Sequence, residues 1–388
     1  HNNALVTDTF NDIATLNGGS IGGSVIADSI GQVGNDQVTV AGTAVTANVD
    51  LGDGNNTFNM SSGSVGGNVT SGTGTDSVTL TGGTVGGNID TGQGVDTLNL
   101  NGGAVTGNVS AGAGADGITI NGSAITGNLD AGSENDTIKL LSGSVANIIA
   151  GTGDDSLTWS GGTLAGFDGG AGSDTLDVTA SSYNGSQILN GGDDISTADG
   201  FIDKLTLGGL TATVNSGTLL NWEVLALQNS TLTLNGLVAG EVDVCGGSTT
   251  LGGASSVVDV KGCSSADAIT VTGTTVVSGN IEGAGGGDTI SVLGGASVTG
   301  TVRGAGAGSD NSAAADAGDT VTINTTGTVG AVDTDLGADT LTLTAGTITT
   351  TVATGQGTDT LNLDGGTVSG TIDTGSGRRT RPTERFPP

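Results

Sequence analysis

Large side chains are scarce in this chain of 388 residues, which contains 5 Phe, 2 Trp, 1 Tyr and 3 Pro. An ordinary globular enzyme fills its core with large apolar side chains, so this composition argues against that class. Hydrophobic residues nevertheless make up 34% of the chain, and 76 residues are Gly. The sequence therefore predicts a thin, repetitive core of small aliphatic residues, and neither a disordered tail nor a collagen-like chain.

Basic residues and histidine are also scarce. Lys and Arg number 8 against 39 acidic residues, which gives a net charge of −31 at pH 7. Such a surface repels nucleic acid and anionic lipid, so the predicted partners include no nucleic acid and the charge favours cations. The single histidine is His1, which excludes catalytic schemes that depend on an internal His. No apolar run approaches the roughly 18 residues that a membrane helix needs.

What the sequence does contain is a regular repeat, with a period of roughly 20 residues per unit. From about position 41 to 150, each unit reads Gly-x-Gly-x-Asp-x-U-x-U and then x-Gly-Gly-x-U-x-Gly-Asn-U, where U is aliphatic. Alternation of apolar and polar residues is typical of β-strands, and the Gly pairs supply turns. A constant period of this length predicts an all-β solenoid in which each unit is one rung.

The regularity of the repeat predicts four segments. Residues 1–179 form regular rungs, and residues 180–262 form degenerate rungs with a loop insertion between Tyr183 and Gly200. Regular rungs resume over 263–377, with an insertion near 304–317. Residues 378–388 differ abruptly from the repeats, and we interpret them as an appended tail or linker.

One column of aspartates is the candidate metal site. Its clearest members recur once per unit, at Asp76, Asp96, Asp116 and Asp136. The surrounding Gly-x-Gly-x-Asp-x-U is close to the nonapeptide of calcium-binding RTX rolls, and stacked carboxylates with turn carbonyls suit Ca²⁺. Two features weaken the match, because only one half of each rung carries the motif and the rung is longer than a pair of nonapeptides. The alternative is that each Asp accepts backbone N–H groups at its own turn.

Two further columns predict structural or surface roles. The Asn residues of the second half-unit, from Asn48 to Asn147, favour a buried ladder of side-chain amides. The outward position after the first aliphatic residue is occupied by Thr79, Asn99, Thr119, Lys139 and Thr158. We expect that mixture to be too irregular for a flat ice-binding Thr array.

Cys245 and Cys263 are the only cysteines, and their sequence separation is 18. Because that spacing is close to one repeat, they are predicted to face each other on adjacent rungs within disulfide range. Two cysteines cannot form the usual four-ligand zinc site. A disulfide implies an oxidising compartment, whereas two free thiols would be buried as small apolar residues.

A family resemblance adds to this reading. The segment Leu219 to Leu234, with Asn221-Trp222-Glu223 followed by alternating Leu, resembles passenger domains of bacterial autotransporters. The Gly-Asn-Val repeats look like the β-helical stalks of such passengers. The resemblance implies a right-handed parallel β-helix, a location outside the cell or on the surface of a Gram-negative bacterium, and roles in adhesion, biofilm formation, virulence or host contact. The chain contains neither a translocator barrel nor a serine-protease module.

Three functions follow as expectations. The first is a non-catalytic adhesin that contacts a host or abiotic surface, an extracellular protein or glycan, or further copies of itself. The second is a calcium-dependent structural layer or matrix protein of RTX character. The third is a polysaccharide-active enzyme that uses acidic pairs such as Asp154 and Asp155.

Overall fold

Parallel β-strands dominate the computed structural model of the protein, which describes residues 5–6, 11–28, 33–193, 195, 198, 200–305 and 317–375. These residues form an all-β parallel solenoid of about 17 turns with roughly 20 residues per rung, as the repeat predicts. No segment of the described ranges is a helix long and apolar enough to cross a membrane. The predicted tail at 378–388 and residues 306–316 of the predicted insertion lie outside the described residues.

One rung consists of three short strands. In a representative rung these are Ser77–Leu80, Thr84–Val85 and Ile89–Asp90. Each strand pairs in parallel with the strand one repeat further along the chain. Because successive side chains of a strand alternate, Val78 and Leu80 are buried and Ser77 and Thr79 point outward. The core is therefore a stack of aliphatic side chains, one set per rung.

The corners between strands require Gly. Gly94 has a φ of 133°, and a Cβ atom placed on it would lie 1.5 Å from the carbonyl oxygen of Gly74 in the rung before. A side chain at this position would thus both strain the backbone and push neighbouring rungs apart. The Gly-x-Gly element of the repeat is explained by close stacking at the turn.

The chain separates into two compact units. Unit 1 comprises residues 1–183, 187–194 and 198–203, and unit 2 comprises residues 184–186, 195–197 and 204–388. The described strands of unit 1 are β1 Leu5–Val6, β2 Ile13–Asn17, β3 Ser20–Ile21, β4 Val25–Ile26, β5 Gln37–Val45, β6 Val49–Asp50, β7 Thr57–Val65, β8 Val69–Thr70, β9 Ser77–Leu80, β10 Thr84–Val85, β11 Ile89–Asp90, β12 Thr97–Leu100, β13 Ala104–Val105, β14 Val109–Ala113, β15 Gly117–Ile125, β16 Leu129–Ser133, β17 Thr137–Thr152, β18 Ser156–Trp159, β19 Thr163–Ala171, β20 Thr175–Val178 and β21 Ile188–Asn190.

Unit 2 follows the same plan. Its described strands are β22 Lys204–Gly208, β23 Thr211–Val214, β24 Leu219–Leu220, β25 Val224–Gln228, β26 Thr231–Asn235, β27 Val238–Cys245, β28 Ser248–Gly252, β29 Ser256–Lys261, β30 Ala268–Val271, β31 Val276–Val277, β32 Ile281–Glu282, β33 Thr289–Gly294, β34 Ser297–Arg303, β35 Thr320–Asp333, β36 Leu336–Gly337, β37 Thr340–Ile348, β38 Val352–Ala353, β39 Gln356–Gly357, β40 Thr360–Leu363, β41 Thr367–Val368 and β42 Ile372–Asp373.

Part of the predicted loop from Tyr183 to Gly200 belongs to the solenoid. Tyr183 is buried and packs edge-on against Trp159, with ring centroids 6.1 Å apart. Strand β21 pairs in parallel with Gly166 to Asp168 of β19. The Gly and Ser content of this short segment favours a loop and hides its alternating burial. Residues 194, 196, 197 and 199 lie outside the described residues.

Candidate functional site

A column of aspartates runs through unit 1 at one buried corner. The backbone N–H of each member donates to Oδ1 of the member in the following rung, over eight bonds of 2.6–2.9 Å. The bonds therefore join neighbouring rungs, whereas the sequence favoured a bond within each Asp's own turn. We call the following residues the Asp column: Asp36, Asn56, Asp76, Asp96, Asp116, Asp136, Asp155, Asp174 and Asp203.

In each column aspartate, the second carboxyl oxygen, Oδ2, is the one that remains available for a proton or a ligand. Oδ2 is buried without a hydrogen-bond partner in Asp116, Asp136, Asp155 and Asp174. Asn56 shows what this position faces, because its Nδ2 donates to the carbonyl oxygens of Gly52 at 3.2 Å and Gly54 at 3.0 Å. The amide of Asn56 thus donates to these carbonyl oxygens, whereas an aspartate at the same position brings its own acceptor oxygen close to them. At this buried position the carboxyl is stable either when it is protonated and neutral or when it is ionised and paired with a cation.

The residue five positions before each Asp affects the pKa of its carboxyl. Ser71 precedes Asp76 and Thr91 precedes Asp96, and in both cases the hydroxyl lowers the pKa of the carboxyl against the larger effect of burial, which raises it. Asp116 and Asp136 have Ala at that position instead. Burial then raises the pKa of Asp116 to about 6 and that of Asp136 to about 7, with the neighbouring carboxyls adding to the rise.

The next two members continue the trend. Asp155 is preceded by Ala150 and Asp174 by Gly169. Burial raises the pKa of Asp155 to about 6 and that of Asp174 to about 7. Carboxyls at neighbouring rungs repel when both are ionised, so the column is held together best when some of its members are neutral.

Calcium fits the kind of donor that the column presents. By analogy with Asn56, a rung supplies one carboxylate oxygen and two turn carbonyl oxygens, from Gly112 and Gly114 before Asp116 and from Gly132 and Glu134 before Asp136, and Ca²⁺ prefers such hard oxygens. Three donors are fewer than the 6–8 that Ca²⁺ takes, so ligands from a second rung or water would be needed. Among the described residues, no three His, Cys, Asp or Glu side chains are grouped closely enough to hold a metal by themselves.

Unit 2 has a separate column of aspartates, which lies directly before the strands β23, β26, β28, β30, β33, β35, β37 and β40 and has no aspartate in its first rungs. By strand register its first three positions hold Leu210, Ser230 and Gly247. Ser230 Oγ takes over the role of a carboxyl oxygen and accepts the backbone N–H of Leu210 at 3.1 Å. From Asp267 onward, carboxyl oxygens again accept backbone N–H groups of the preceding rung, through Asp288, Asp319, Asp339 and Asp359.

The predicted Asn ladder forms, with two differences. Asn68 accepts the backbone N–H of Asn88 at 2.9 Å, and Asn88 accepts that of Asn108 at 2.9 Å. The ladder thus uses backbone donors, and its side chains are half-buried or exposed. A side-chain amide bond joins Asn147 Nδ2 to Asn128 Oδ1 at 3.1 Å. The ladder was expected in a buried turn, but these Asn residues lie on the outside of the corner.

An uncharged outer face is the feature of unit 2 that sequence reasoning missed. Two outward columns run over eight rungs, in register throughout and with buried or half-buried residues between them. We call these sixteen positions the Thr face: Thr211, Thr213, Thr231, Thr233, Ser248, Thr250, Ala268, Thr270, Thr289, Ser291, Thr320, Thr322, Thr340, Thr342, Thr360 and Asn362. Twelve are Thr and none is charged. The signal was the repeated Thr-x-Thr at the start of a strand, as in Thr231-Leu-Thr233 and Thr340-Leu-Thr342, which the corresponding strands of the first half do not carry.

In unit 1, the outer face that directly follows the Asp column is mixed. Its second column contains Asn59 and Asn99 among threonines, and then Lys139 and Asp177. Gly117 interrupts the first column. The sequence expectation of an irregular array is therefore accurate for unit 1 and does not extend to unit 2.

Cys245 and Cys263 lie on neighbouring rungs of unit 2 and are joined as a disulfide, with their Cα atoms 5.1 Å apart. The strands that precede them pair in register, with Asp243 opposite Lys261. Adjacent parallel strands lie about 4.8 Å apart, which is inside the range that a disulfide can span. The bridge thus connects rungs in the part of unit 2 that lacks column aspartates.

A charged column flanks another side of unit 2. Strand register aligns Asp243, Lys261, Glu282, Arg303 and Asp333, so the sign of the charge alternates along most of the column. Arg303 Nη1 donates to Glu282 Oε1 at 2.7 Å, and Lys261 Nζ bonds to Glu241 Oε2. Opposite charges on paired strands favour this register over a slipped one.

The acidic pair proposed for a glycosidase does not form a joint site. Asp155 is buried in the Asp column, where its Oδ1 accepts the N–H of Asp136 at 2.7 Å. Asp154 is exposed, and its Oδ1 accepts the N–H of Ser173 at 2.8 Å. One carboxyl is thus held inside the solenoid and the other at its surface, so the two do not converge on one substrate.

Comparison with known proteins gives little beyond the fold. No family model matches the chain, and no curated protein matches it. Among solved structures, it is similar to a hyperactive, Ca²⁺-dependent, β-helical antifreeze protein from an Antarctic bacterium. The two share 21% identity over 85% of each chain, with a TM-score of 0.29. At that identity and TM-score, the likeness concerns the β-helical class alone.

Proposed function

We propose that the protein is a non-catalytic surface-contact protein of the adhesin type, exposed outside a Gram-negative cell. The observation that carries this proposal is the Thr face, an extended, uncharged and regular surface on an otherwise acidic protein. A β-solenoid suits such a role because its rungs hold surface side chains at fixed intervals. An adhesive passenger domain, as the family resemblance implies, would present this face to a host or abiotic surface.

The disulfide and the acidic composition support the location. Disulfides persist in oxidising compartments, and Cys245 and Cys263 are bonded across neighbouring rungs. A net charge of −31 favours a soluble, monomeric protein in the absence of its partner. Residues 306–316, a candidate contact loop, lie outside the described residues and are not needed for this proposal.

Adhesion assays with charged substitutions on the Thr face test the proposal. The variant Thr250→Lys/Thr270→Lys places two cations at the centre of the face, where both residues point outward. Thr299→Lys is the matched control, since Thr299 is an exposed Thr of unit 2 on strand β34 outside the face. We expect binding to mineral, plastic or host-cell surfaces to be lost in the first variant and kept in the second. Equal binding by both would remove the Thr face from the function.

A second candidate is a calcium-stabilised structural or matrix protein. The unpartnered Oδ2 atoms of Asp116, Asp136, Asp155 and Asp174 favour it, because a cation would satisfy them at neutral pH. Melting curves of the full chain at pH 8 test this candidate, with millimolar Ca²⁺ in one sample and excess chelator in the other. A higher melting temperature with Ca²⁺ supports the ion column, and identical curves eliminate it.

A further inference from the structure

The Thr face has the regularity of a lattice. Strands β23, β26, β28, β30, β33, β35, β37 and β40 pair across the face without a shift of register. Side chains on one strand repeat at about 6.6 Å, two residues apart, and those on paired strands at about 4.8 Å. The face is thus a two-dimensional grid of hydroxyl and methyl groups that extends for about 34 Å over eight rungs.

Among the described residues, the flank of the grid before its first column is low. Two positions before that column the chain holds small or uncharged residues: Gly209, Asn229, Gly246, Ala266, Gly287, Gly318, Ala338 and Thr358. The column Asp243, Lys261, Glu282, Arg303 and Asp333 belongs to another side of the rung, since these residues lie on the strands β27, β29, β32, β34 and β35. On this flank, no described side chain of the listed positions is large or charged enough to keep a flat partner from the rungs.

The composition of the grid selects the class of partner. Protein interfaces depend on Tyr, Trp, Arg and Met, and the Thr face contains none of them. Sugar rings stack on aromatic side chains, which the face also lacks. A charged ligand finds no counter-charge there. What remains is an uncharged, flat and periodic partner that offers both hydrogen-bond donors and acceptors.

The Thr side chains of the grid have restricted conformations and hydroxyl groups that can bind water. Thr is branched at Cβ, so its χ1 is restricted and little side-chain entropy is lost when a partner binds. Within the described part of the face, the one side-chain hydrogen bond joins Asn362 Nδ2 to Thr342 Oγ1 at 3.4 Å. Each Thr offers a methyl and a hydroxyl group, and water can sit between the two columns in positions fixed by the rungs.

We infer that the Thr face binds ice. Its two repeat distances, about 6.6 Å and about 4.8 Å, hold waters on neighbouring rungs in a flat two-dimensional array, and a face of an ice crystal is such an array of water. The inference rests on the proposed surface contact, for which it names crystalline water as the solid. It depends on the residues of the face and takes nothing from the structural neighbour.

Ice affinity tests the inference directly. The full chain is frozen slowly from dilute solution onto an ice surface, and the fraction incorporated is compared with that of Thr250→Lys/Thr270→Lys and of the control Thr299→Lys. We expect the natural chain and the control to enter the ice and to shape its crystals. The double variant should be excluded, because two ammonium groups remove the flatness and carry hydration shells that do not fit the lattice.

Two outcomes would overturn the inference. One is that the natural chain is excluded from ice, and the other is that the double variant enters as readily as the control. Circular dichroism establishes that each variant is folded; if the central pair fails to fold, Thr233→Lys/Thr342→Lys repeats the test on other rungs. Exclusion of the natural chain from ice, together with loss of adhesion to another solid in the double variant, would refute ice binding and leave the proposed function standing.

Discussion

Units 1 and 2 are built on the same rung but use it for different chemistry. Unit 1 carries a continuous buried Asp column, and its outer face mixes Thr with Asn, Lys139 and Asp177. The separate column of unit 2 begins with Leu210, Ser230 and Gly247, yet the outer face that follows it is Thr in twelve of sixteen positions. The inner column and the outer face therefore vary independently.

The reason lies in strand geometry. Side chains alternate between core and solvent, so changing an outward residue leaves the buried one beside it in place. Stability can then be supplied in different ways: by buried carboxyls throughout the column of unit 1, and in the first rungs of unit 2, before Asp267, by a disulfide and paired charges. We therefore expect that removing one of these interactions lowers the stability of the unit that contains it and leaves the other unit unchanged.

The disulfide should have the largest effect. In Cys245→Ser/Cys263→Ser, we expect a loss of roughly 3 kcal/mol of local stability, since the bond closes a loop with a sequence separation of 18 in the unfolded chain. Hydrogen exchange measured on peptides is the readout. Amides of residues 224–262 should exchange faster, while those of residues 77–137 in unit 1 should not change. Addition of reductant to the variant is the control and should do nothing further.

Uniform acceleration over both units would contradict this prediction. So would unchanged exchange in residues 224–262, since the serine-replaced rungs would then be held as firmly by hydrogen bonds alone.

The stability of unit 1 should depend on pH. The native pKa values of Asp136 and Asp174 are raised to about 7, above the ordinary value of 3.8 for an unfolded chain. A raised carboxyl pKa contributes stability that is complete below about 3.8 and is lost as the pH rises through about 7. In the absence of divalent cations, exchange protection of residues 117–178 should therefore fall between pH 5 and pH 8. Greater protection at pH 8 than at pH 5, after correction for intrinsic exchange, would be the opposite sign.

The substitution Asp136→Asn tests whether the column needs a carboxylate at this position or only a neutral side chain that can donate a hydrogen bond. Asn56 shows that an amide at this place in the rung donates to the carbonyls four and two residues before it, which for Asp136 belong to Gly132 and Glu134, so the substitution supplies a donor where Oδ2 has no partner. We expect a gain of about 1 kcal/mol in unfolding free energy at pH 8, and a smaller gain at pH 5 where the carboxyl is already protonated. Asp130→Asn, at an exposed position of β16, is the matched control. A loss of stability at pH 8 would indicate that the carboxylate is needed there, as a bound cation would require.

The repeat predicted the fold because the turn glycines, the column aspartates and the buried aliphatic residues all recur with the same period. Asp76, Val78 and Leu80 recur with Gly74 at a fixed interval, and only stacked rungs bury them all. The sequence could also place Cys245 beside Cys263, since a spacing near one period implies adjacent rungs. It could not tell that Asp136 bonds to the next rung and not to its own turn, because that depends on how the corner is oriented.

The Thr face was predictable in principle. Thr231-Leu232-Thr233 and Thr340-Leu341-Thr342 have the alternation of the first half. The irregular spacing around residues 180–262 and 306–316 concealed that these pairs share one column, and strand register was needed to align them.

The charged column of unit 2 should give the smallest effect. Lys261 lies between Asp243 and Glu282 in register and bonds to Glu241, but the side chains of Lys261 and Glu241 are 43% and 31% exposed. Such pairs contribute roughly 0.2–1 kcal/mol, and salt screens them. We expect Lys261→Gln to lower the unfolding free energy by that amount in dilute buffer and by less in about 1 M salt. Lys139→Gln in unit 1 is the control, since within the described residues Lys139 has no ion pair. Equal losses from both substitutions would mean that the alternating column contributes nothing specific to its register, and that the difference between the units lies in the disulfide and the carboxyls.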